Sequence, residues 1–407
     1  MIIPVTCFSC GKPIGHLWED FKDKTTKGEK PVKVMDELGL QRYCCRAVFM
    51  GHVDLLETVA GWFKDLFGTP PFLAIDLGSS NIRIYLQGKG IVSRQKVYIV
   101  KNTKNNEFVV SGDEAYDMLG KTPPNLIVFN PIERGRVSDF DAVLFFLQKA
   151  IERALEPYFK NQLLTRFNLL FAVPLGLTEV EEMAVVEVGK KTGAREVFLI
   201  ETPIAAGFGL KAPVMENTGT FLVDIGGGTT EVSLISLGGV VLSKILPSGG
   251  RDFSQALVNY LRLRYGLLVG DKTAEELKMV LGSIVKDSTD LVEISGRSME
   301  TGMPRTIKIK KKVLFEPLYP YFGQIIDLIH EAIEETPPEL IKDVHSHGII
   351  LSGMSANFGD LDTYLAKELK LKITTVSEPE YAVIRGLGWL IEHPEVLSKV
   401  IIKFAKF

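Results

Sequence analysis

All four cysteines of this chain lie at or before position 45, and none follows. Cys7 and Cys10 form a CxxC, and Cys44 and Cys45 are adjacent. A CxxC turn aims two thiolates at one ion, and tetrahedral zinc needs two more soft ligands. Cys44 and Cys45 are the other cysteines available, so the four predict a structural zinc knot within residues 1–57. Neighbouring cysteines cannot both face one point from a regular helix or strand, so the backbone is expected to bend there, at a helix start. His16 and His52 are rival ligands, but four thiolates already complete a structural site. Surface or helix-packing roles suit both histidines better. A redox CxxC needs a thioredoxin-like βαβ surround, which is missing here. Clustered cysteines in an otherwise cysteine-free chain also argue against a secreted disulfide framework.

A head this short buries too little apolar surface to fold unaided, so zinc is expected to supply much of its stability. It is predicted to open with a short strand from Met1 to Val5 and to carry a solvated, lysine-rich loop from Lys22 to Lys33. It should close on a helix with Val48, Phe49, Val53, Leu55, Leu56 and Val59 on its apolar face. The strings CFSCGKPIGHLWEDF, DELGLQRYCCR and GHVDLLE occur in that order. On them, residues 1–57 resemble the smallest zinc-bundle subunit of archaeal and eukaryotic RNA polymerases, subunit N. The resemblance implies zinc held by Cys7, Cys10, Cys44 and Cys45, and a non-catalytic assembly role with polymerase core subunits as partners. Thr6 stands where that family has arginine.

A length of 407 residues exceeds one ordinary core, and 46% hydrophobic with 24% charged residues is a globular composition. The net charge of −3 gives no general reason to expect nucleic-acid binding. No basic segment leads an apolar run at the N-terminus, and no apolar run reaches about 18 residues. Neither a secretion signal nor a membrane span is therefore expected, and the predicted location is cytoplasmic with peripheral membrane contact. Residues 58–71, TVAGWFKDLFGTPP, form the junction. Trp62, Phe63, Leu66 and Phe67 fall on one helical face, with Lys64 and Asp65 opposite. Two readings stand for residues 60–67: a helix packed on its neighbours, or one lying in a membrane interface. Gly68, Pro70 and Pro71 then end it.

Residues 72–407 carry two copies of one signal. Phe72 to Ile75 is apolar and runs into DLGSSN; Phe221 to Val223 is apolar and runs into DIGGGTTE. Each predicts a hairpin whose turn amides face an anion, with one aspartate at a strand end able to hold Mg²⁺ through water. Two such hairpins predict related half-domains around one nucleotide. Neither is a Walker loop, because no GKS or GKT follows. FNLLFAVP predicts a buried strand before a helix over Leu177–Thr192. Glu201 follows another strand, as a helix cap, an ion-pair partner, or the group that orients an attacking water. Gly249 and Gly250 precede a helix over Phe253–Tyr265. Glu275 and Lys278 share a helix face, the usual setting of a surface ion pair. HGIILSGMSANFGDL reads as strand, glycine turn and helix. The stretch VLSKVIIKFAKF reads either as a second interfacial helix or as a packed terminal one.

The landmarks IDLGSSN, PIERGRVSDFDAV, VDIGGGTTEVSLISLGGVV, SGGRDF, VGDKTAEELK, ILSGMSANFGDLD and VSEPEYAVIRGLG resemble the actin superfamily, and within it MreB. The implied class is α/β: an actin-like ATPase fold, two related mixed-sheet domains around a nucleotide cleft, preceded by a small zinc-bound helical bundle. The implied cofactors are ATP, Mg²⁺ and Zn²⁺. By resemblance, Asp76, Gly78, Ser79, Ser80 and Asn81 form the first phosphate loop. Asp224, Gly226, Gly227, Gly228 and Thr229 form the second, with Asp76 and Asp224 around Mg²⁺. Glu201 matches the water-activating glutamate. Gly249, Gly250, Glu275, Lys278 and Gly353 match adenosine and ribose contacts, and Met354 and Ser355 replace two further glycines. The family implies self-assembly into filaments on the inner membrane face, with the cell-wall elongation machinery as partner, and residues 60–67 stand where its membrane helix does. A polymerase subunit carrying an actin-like passenger, and a small-molecule kinase, are the competing functions; no acceptor-site base stands out for a kinase.

Overall fold

The structure is a computed structural model that describes residues 6–7, 9–51, 70–159, 167–281 and 290–406. The expected strand over 1–5, His52 and the junction segment 60–67 lie outside the described residues. Two units divide between Pro70 and Pro71, inside the Gly/Pro stop that closes the junction.

In the head, Trp18–Thr26 (α1), Pro31–Glu37 (α2) and Tyr43–Gly51 (α3) are helical. Lys22 to Thr26 thus belongs to α1, and the loop that interrupts the lysine-rich stretch is shorter than the sequence suggested. Ile14, Phe21, Val34, Met35, Leu40 and Phe49 form a small core together with Cys7 and Cys45. The Trp18, Phe21 and Phe49 rings pack at 5.2–5.7 Å between centroids, a geometry that adds to burial alone.

The body is built on two sheets of matching plan. The first comprises Phe72–Leu77 (β1), Asn81–Leu86 (β2), Gly90–Lys96 (β3), Asn168–Val173 (β4) and Glu196–Glu201 (β5). The second comprises Thr220–Ile225 (β6), Thr230–Ser236 (β7), Gly239–Leu246 (β8), Ile349–Ser352 (β9) and Ile373–Thr375 (β10). Lys403–Lys406 (β11) joins the outer edge of the first sheet. The strand orders are 11-5-4-1-2-3 and 8-7-6-9-10. In each, an antiparallel meander of three strands pairs through its first strand with parallel strands. Strand β4 is buried along its whole length, as an interior parallel strand must be.

The C-terminal stretch begins as the packed helix that one reading expected and ends as a strand, which neither reading expected. Pro394–Val400 is helical with Leu397 and Val400 buried, and β11 then pairs antiparallel with β5. The edge of β5 offers unpaired backbone groups, and this strand satisfies them.

Each half has its own core, with Phe253, Phe315 and Phe322 in the second and, in the first, Phe171 and Phe146, which lies on Phe140–Leu155 (α4). A third cluster lies between the sheets, built largely from Thr202–Gly209 (α5) and Ala382–Glu392 (α8). These helices cross in backbone contact. A Cβ on Gly209 would sit 1.8 Å from the Ala382 carbonyl oxygen, and one on Gly386 would sit 1.6 Å from that of Ala205. Only glycine permits this approach. Gly386→Ala should therefore destabilise the body by about 3 kcal/mol or more. Gly239→Ala, where a Cβ meets nothing within 4 Å, is the control. Comparable urea midpoints for the two variants would show that the crossing is not a tight constraint.

Candidate functional site

The four cysteine Sγ atoms of the head lie within 4.8 Å of one another. Tetrahedral Zn–S bonds of ~2.3 Å place sulfurs roughly 3.8 Å apart, so the cluster fits one ion. Cys10 and Cys45 already approach to 3.5 Å. The CxxC turn is closed by Gly11 N–H donating to the Cys7 carbonyl, and Cys44 and Cys45 sit in the first turn of α3. The Lys12 backbone amide favours the Cys10 thiolate and draws its pKa down to about 6; burial pushes the Cys45 thiol up to about 12. His16 is exposed and takes no part in the cluster.

In the body, the turns after β1 and β6 face each other. Each is closed by the same bond: Gly78 N–H donates to Asn81 O at 3.1 Å, and Gly226 N–H to Thr229 O at 2.9 Å. Between them lies a cavity of about 110 Å³. Asp76, Gly78, Ser79, Ser80, Asn81, Asp224, Gly226, Gly227, Gly228, Thr229 and Gly353 all line it. The loops approach so closely that a Cβ on Gly227 would fall 2.0 Å from Ser80 Oγ. Ser79 Oγ accepts from Gly135 N–H at 2.7 Å. Arg251, at the start of Gly250–Tyr265 (α6), donates to the Ser79 and Ile132 carbonyls and ties the two halves together.

Met354 also lines this cavity, and the remaining expected residues adjoin it without lining it. Gly250 N–H donates to Gly226 O, and Gly249 N–H to Asp252. On Asp271–Val280 (α7), Glu275 and Lys278 pair at 2.8 Å. Lys278 also donates to Gly250 O, and Ser254 Oγ to Glu275. Burial works against the Glu275 carboxylate, yet Lys278 and Ser254 hold it below its usual range. This is a partly buried network beside the second loop, not a solvated surface pair. Met354 reaches across to the first loop, its Sδ 3.5 Å from Asn81 Nδ2, and Ser355 Oγ donates to Gly226 O. At the end of β5 the residue lining the cavity is Thr202 rather than Glu201. Glu201 is half-buried; burial, with Glu182 beside it, raises its pKa.

Two further charges were not singled out from the sequence. Asp76 pairs across the first hairpin with Arg83, and Asp224 across the second with Glu231. Arg83 NH1 donates to Asp76 Oδ2 at 2.8 Å in a buried ion pair. Burial raises the Asp76 pKa, and Arg83 opposes the rise. Asp224 is raised by burial and by Asp76, with a hydrogen bond from Ser352 Oγ opposing. Glu231, 7% exposed, has one carboxylate oxygen without a partner. Burial and the facing Asp224 push it up to about 8. A charged residue inside the apolar strand NIRIYL was the visible signal for Arg83; nothing local marked Glu231 beyond its place after the glycine turn.

Two outcomes follow from these charges. With zinc loaded into the four-thiol site, a chelator should expose residues 6–51 to limited proteolysis while the body keeps its melting transition; a head equally resistant without metal would count against a zinc-dependent fold. Glu231 holds its proton in the folded state above its unfolded pKa. Its contribution is therefore fully present below pH 4.5 and is lost as pH rises toward about 8. The loss is at most roughly 1.4 kcal/mol per pH unit. Glu231→Gln should flatten that decline in thermal melts, and an unchanged pH profile would refute the assignment.

The family model described as MreB/Mbl protein matches residues 70–399, and that described as RNA polymerases N / 8 kDa subunit matches residues 2–59. The cell shape-determining protein MreB of Escherichia coli K12 is 36% identical over 336 residues, covering 81% of this chain and 95% of its own. The cell shape-determining protein Mbl of Bacillus subtilis 168 is 32% identical over 328 residues, covering 80% and 97%. Among solved structures, MreB 5 of Spiroplasma citri bound to AMPPNP superposes with a TM-score of 0.76 at 31% identity, covering 81% of this chain and 98% of that one. The MamK double helical filament, at 21% identity and a TM-score of 0.65 over 79% and 99% of the two chains, shares the fold. From Pro70 onward the chain belongs to the MreB/Mbl family of cell shape-determining proteins, and ahead of that it carries a segment of the RNA polymerases N / 8 kDa subunit family.

Proposed function

We propose that the body binds ATP between its two hairpins and assembles into filaments that serve cell-shape determination, with the zinc head as a non-catalytic module. The observation that carries this reading is the pair of like hairpins, each with an aspartate at its strand end, converging on one cavity. It is supported by the AMPPNP bound in MreB 5 of Spiroplasma citri. Filament formation is supported by the MamK filament, which shares the fold. Residues 60–67 are the proposed contact with the inner membrane surface, on its cytoplasmic side, and the elongation machinery is the proposed partner there. No helix among the described residues is long and apolar enough to cross a membrane.

Mg²⁺, if bound beside the nucleotide, would neutralise phosphate charge. Asp76 and Asp224 are the carboxylates that would hold it through water. Their fit is partial, because Asp76 is engaged by Arg83 and Asp224 by Ser352. The loop amides favour negative charge as it develops on the phosphate oxygens. Glu201 is the proposed orienter of the attacking water, its raised pKa suiting a proton acceptor. Hydrolysis then acts as a slow timer on assembly.

A second reading assigns the head to RNA polymerase, favoured by the match over residues 2–59 and the four-thiol cluster. Retrieval of polymerase core subunits by the full chain would support it, and a chain that retrieves none would remove it.

Titration of the purified chain with ATP should give saturable binding, and electron microscopy should then show filaments. Neither appearing would overturn the proposal. Glu201→Ala should keep binding and assembly while phosphate release falls about a hundredfold or more. An unchanged release rate would take Glu201 out of this role and turn attention to Thr202.

A further inference from the structure

The two hairpins place different charges at one register position. Opposite its aspartate the second carries Glu231, while the first carries Arg83. Among the described residues, Arg83 is the one basic side chain lining the cavity, beside carboxyl groups from Asp76, Asp224, Glu231 and Glu380. It is 6% exposed, and its Nε has no partner. A buried guanidinium nitrogen without an acceptor is costly, and here it belongs to a side chain facing the space between two amide-rich loops.

Arg83 is also held in place. One end is fixed by Asp76, and the guanidinium carbon lies 5.5 Å from the centre of the Tyr381 ring. Arg94 and Arg385 flank the same ring at 5.9 and 5.5 Å, and Arg94 donates to the Tyr381 hydroxyl. The guanidinium is therefore preorganised, and its fork suits two phosphate oxygens at once. A divalent ion faces a harder entry. Mg²⁺ needs near-ideal octahedral geometry, and the aspartates it would use are already hydrogen-bonded to Arg83 and Ser352.

We propose that Arg83 is a phosphate-binding residue that supplies the positive charge of this cleft from within the chain, so that a nucleoside di- or triphosphate binds without a divalent cation. The proposal rests on the reading of the cleft as a nucleotide site. The test is calorimetric titration of the full chain with ATP and ADP, in Mg²⁺ and in EDTA, for wild type, Arg83→Leu, Arg83→Lys and the Asp76→Asn/Arg83→Leu double variant. Wild type should bind with affinities that differ less than about threefold between the two buffers. Loss of a charged hydrogen-bond partner should cost Arg83→Leu roughly tenfold or more in EDTA, with partial rescue by Arg83→Lys. The double variant removes the Asp76 carboxylate that Arg83→Leu would leave without its cation, so it keeps the comparison meaningful if Arg83→Leu alone fails to fold. Wild-type binding that disappears in EDTA, or equal binding in EDTA by a folded variant without the arginine, overturns the role of Arg83. No binding in either buffer overturns the nucleotide reading itself, and this inference with it.

Discussion

The crossing of α5 and α8 at Gly209 and Gly386 is the contact on which the rest of the body depends. Two helices in backbone contact leave no freedom in how far apart the sheets sit. Helix α5 begins where β5 ends, at Glu201 and Thr202, and α8 begins just after Tyr381. The crossing therefore positions the end of the first sheet and the Arg83-bearing ring cluster together. It also brings the turns after β1 and β6 near enough for Gly227 to lie against Ser80. Arg251 adds a directional link, because its carbonyl partners belong to the other half.

Given that geometry, charge decides the chemistry. Duplication of strand order places an aspartate at equivalent points of both sheets. With like charge on both partner strands, the site would hold four facing carboxyl groups and no compensation. Arg83 breaks the symmetry on one side, and a retained proton relieves the other. The site is thus asymmetric in electrostatics although nearly symmetric in backbone.

Features that depend on short stretches of chain were legible in the sequence. The CxxC and CC pairs announced a four-thiol knot, and the two glycine hairpins announced facing loops, because turn chemistry is local. Glu275 and Lys278 were visible as a helical pair, but their burial beside Gly250 was not. Features set by register or by distant partners stayed hidden. That Arg83 opposes Asp76 follows only once the hairpin register is known. The reach of Arg251 to Ser79 spans far-separated segments of chain. Whether Glu201 or Thr202 faces the cavity turns on one residue of helix start, the least local of details. The final strand was misread because VLSKVIIKFAKF is apolar enough for helix or strand, and the exposed edge of β5 made the choice.

One polypeptide carries both the cysteine knot and the cleft, so the two occur in a fixed one-to-one ratio. If bodies assemble as proposed, one head accompanies each body along the assembly. A partner too weakly held by one head is then offered many copies along a track, and its apparent affinity rises through multivalency with no new contact. If the proposed filaments form, growth or shrinkage of the array would then change how many heads a partner meets at once.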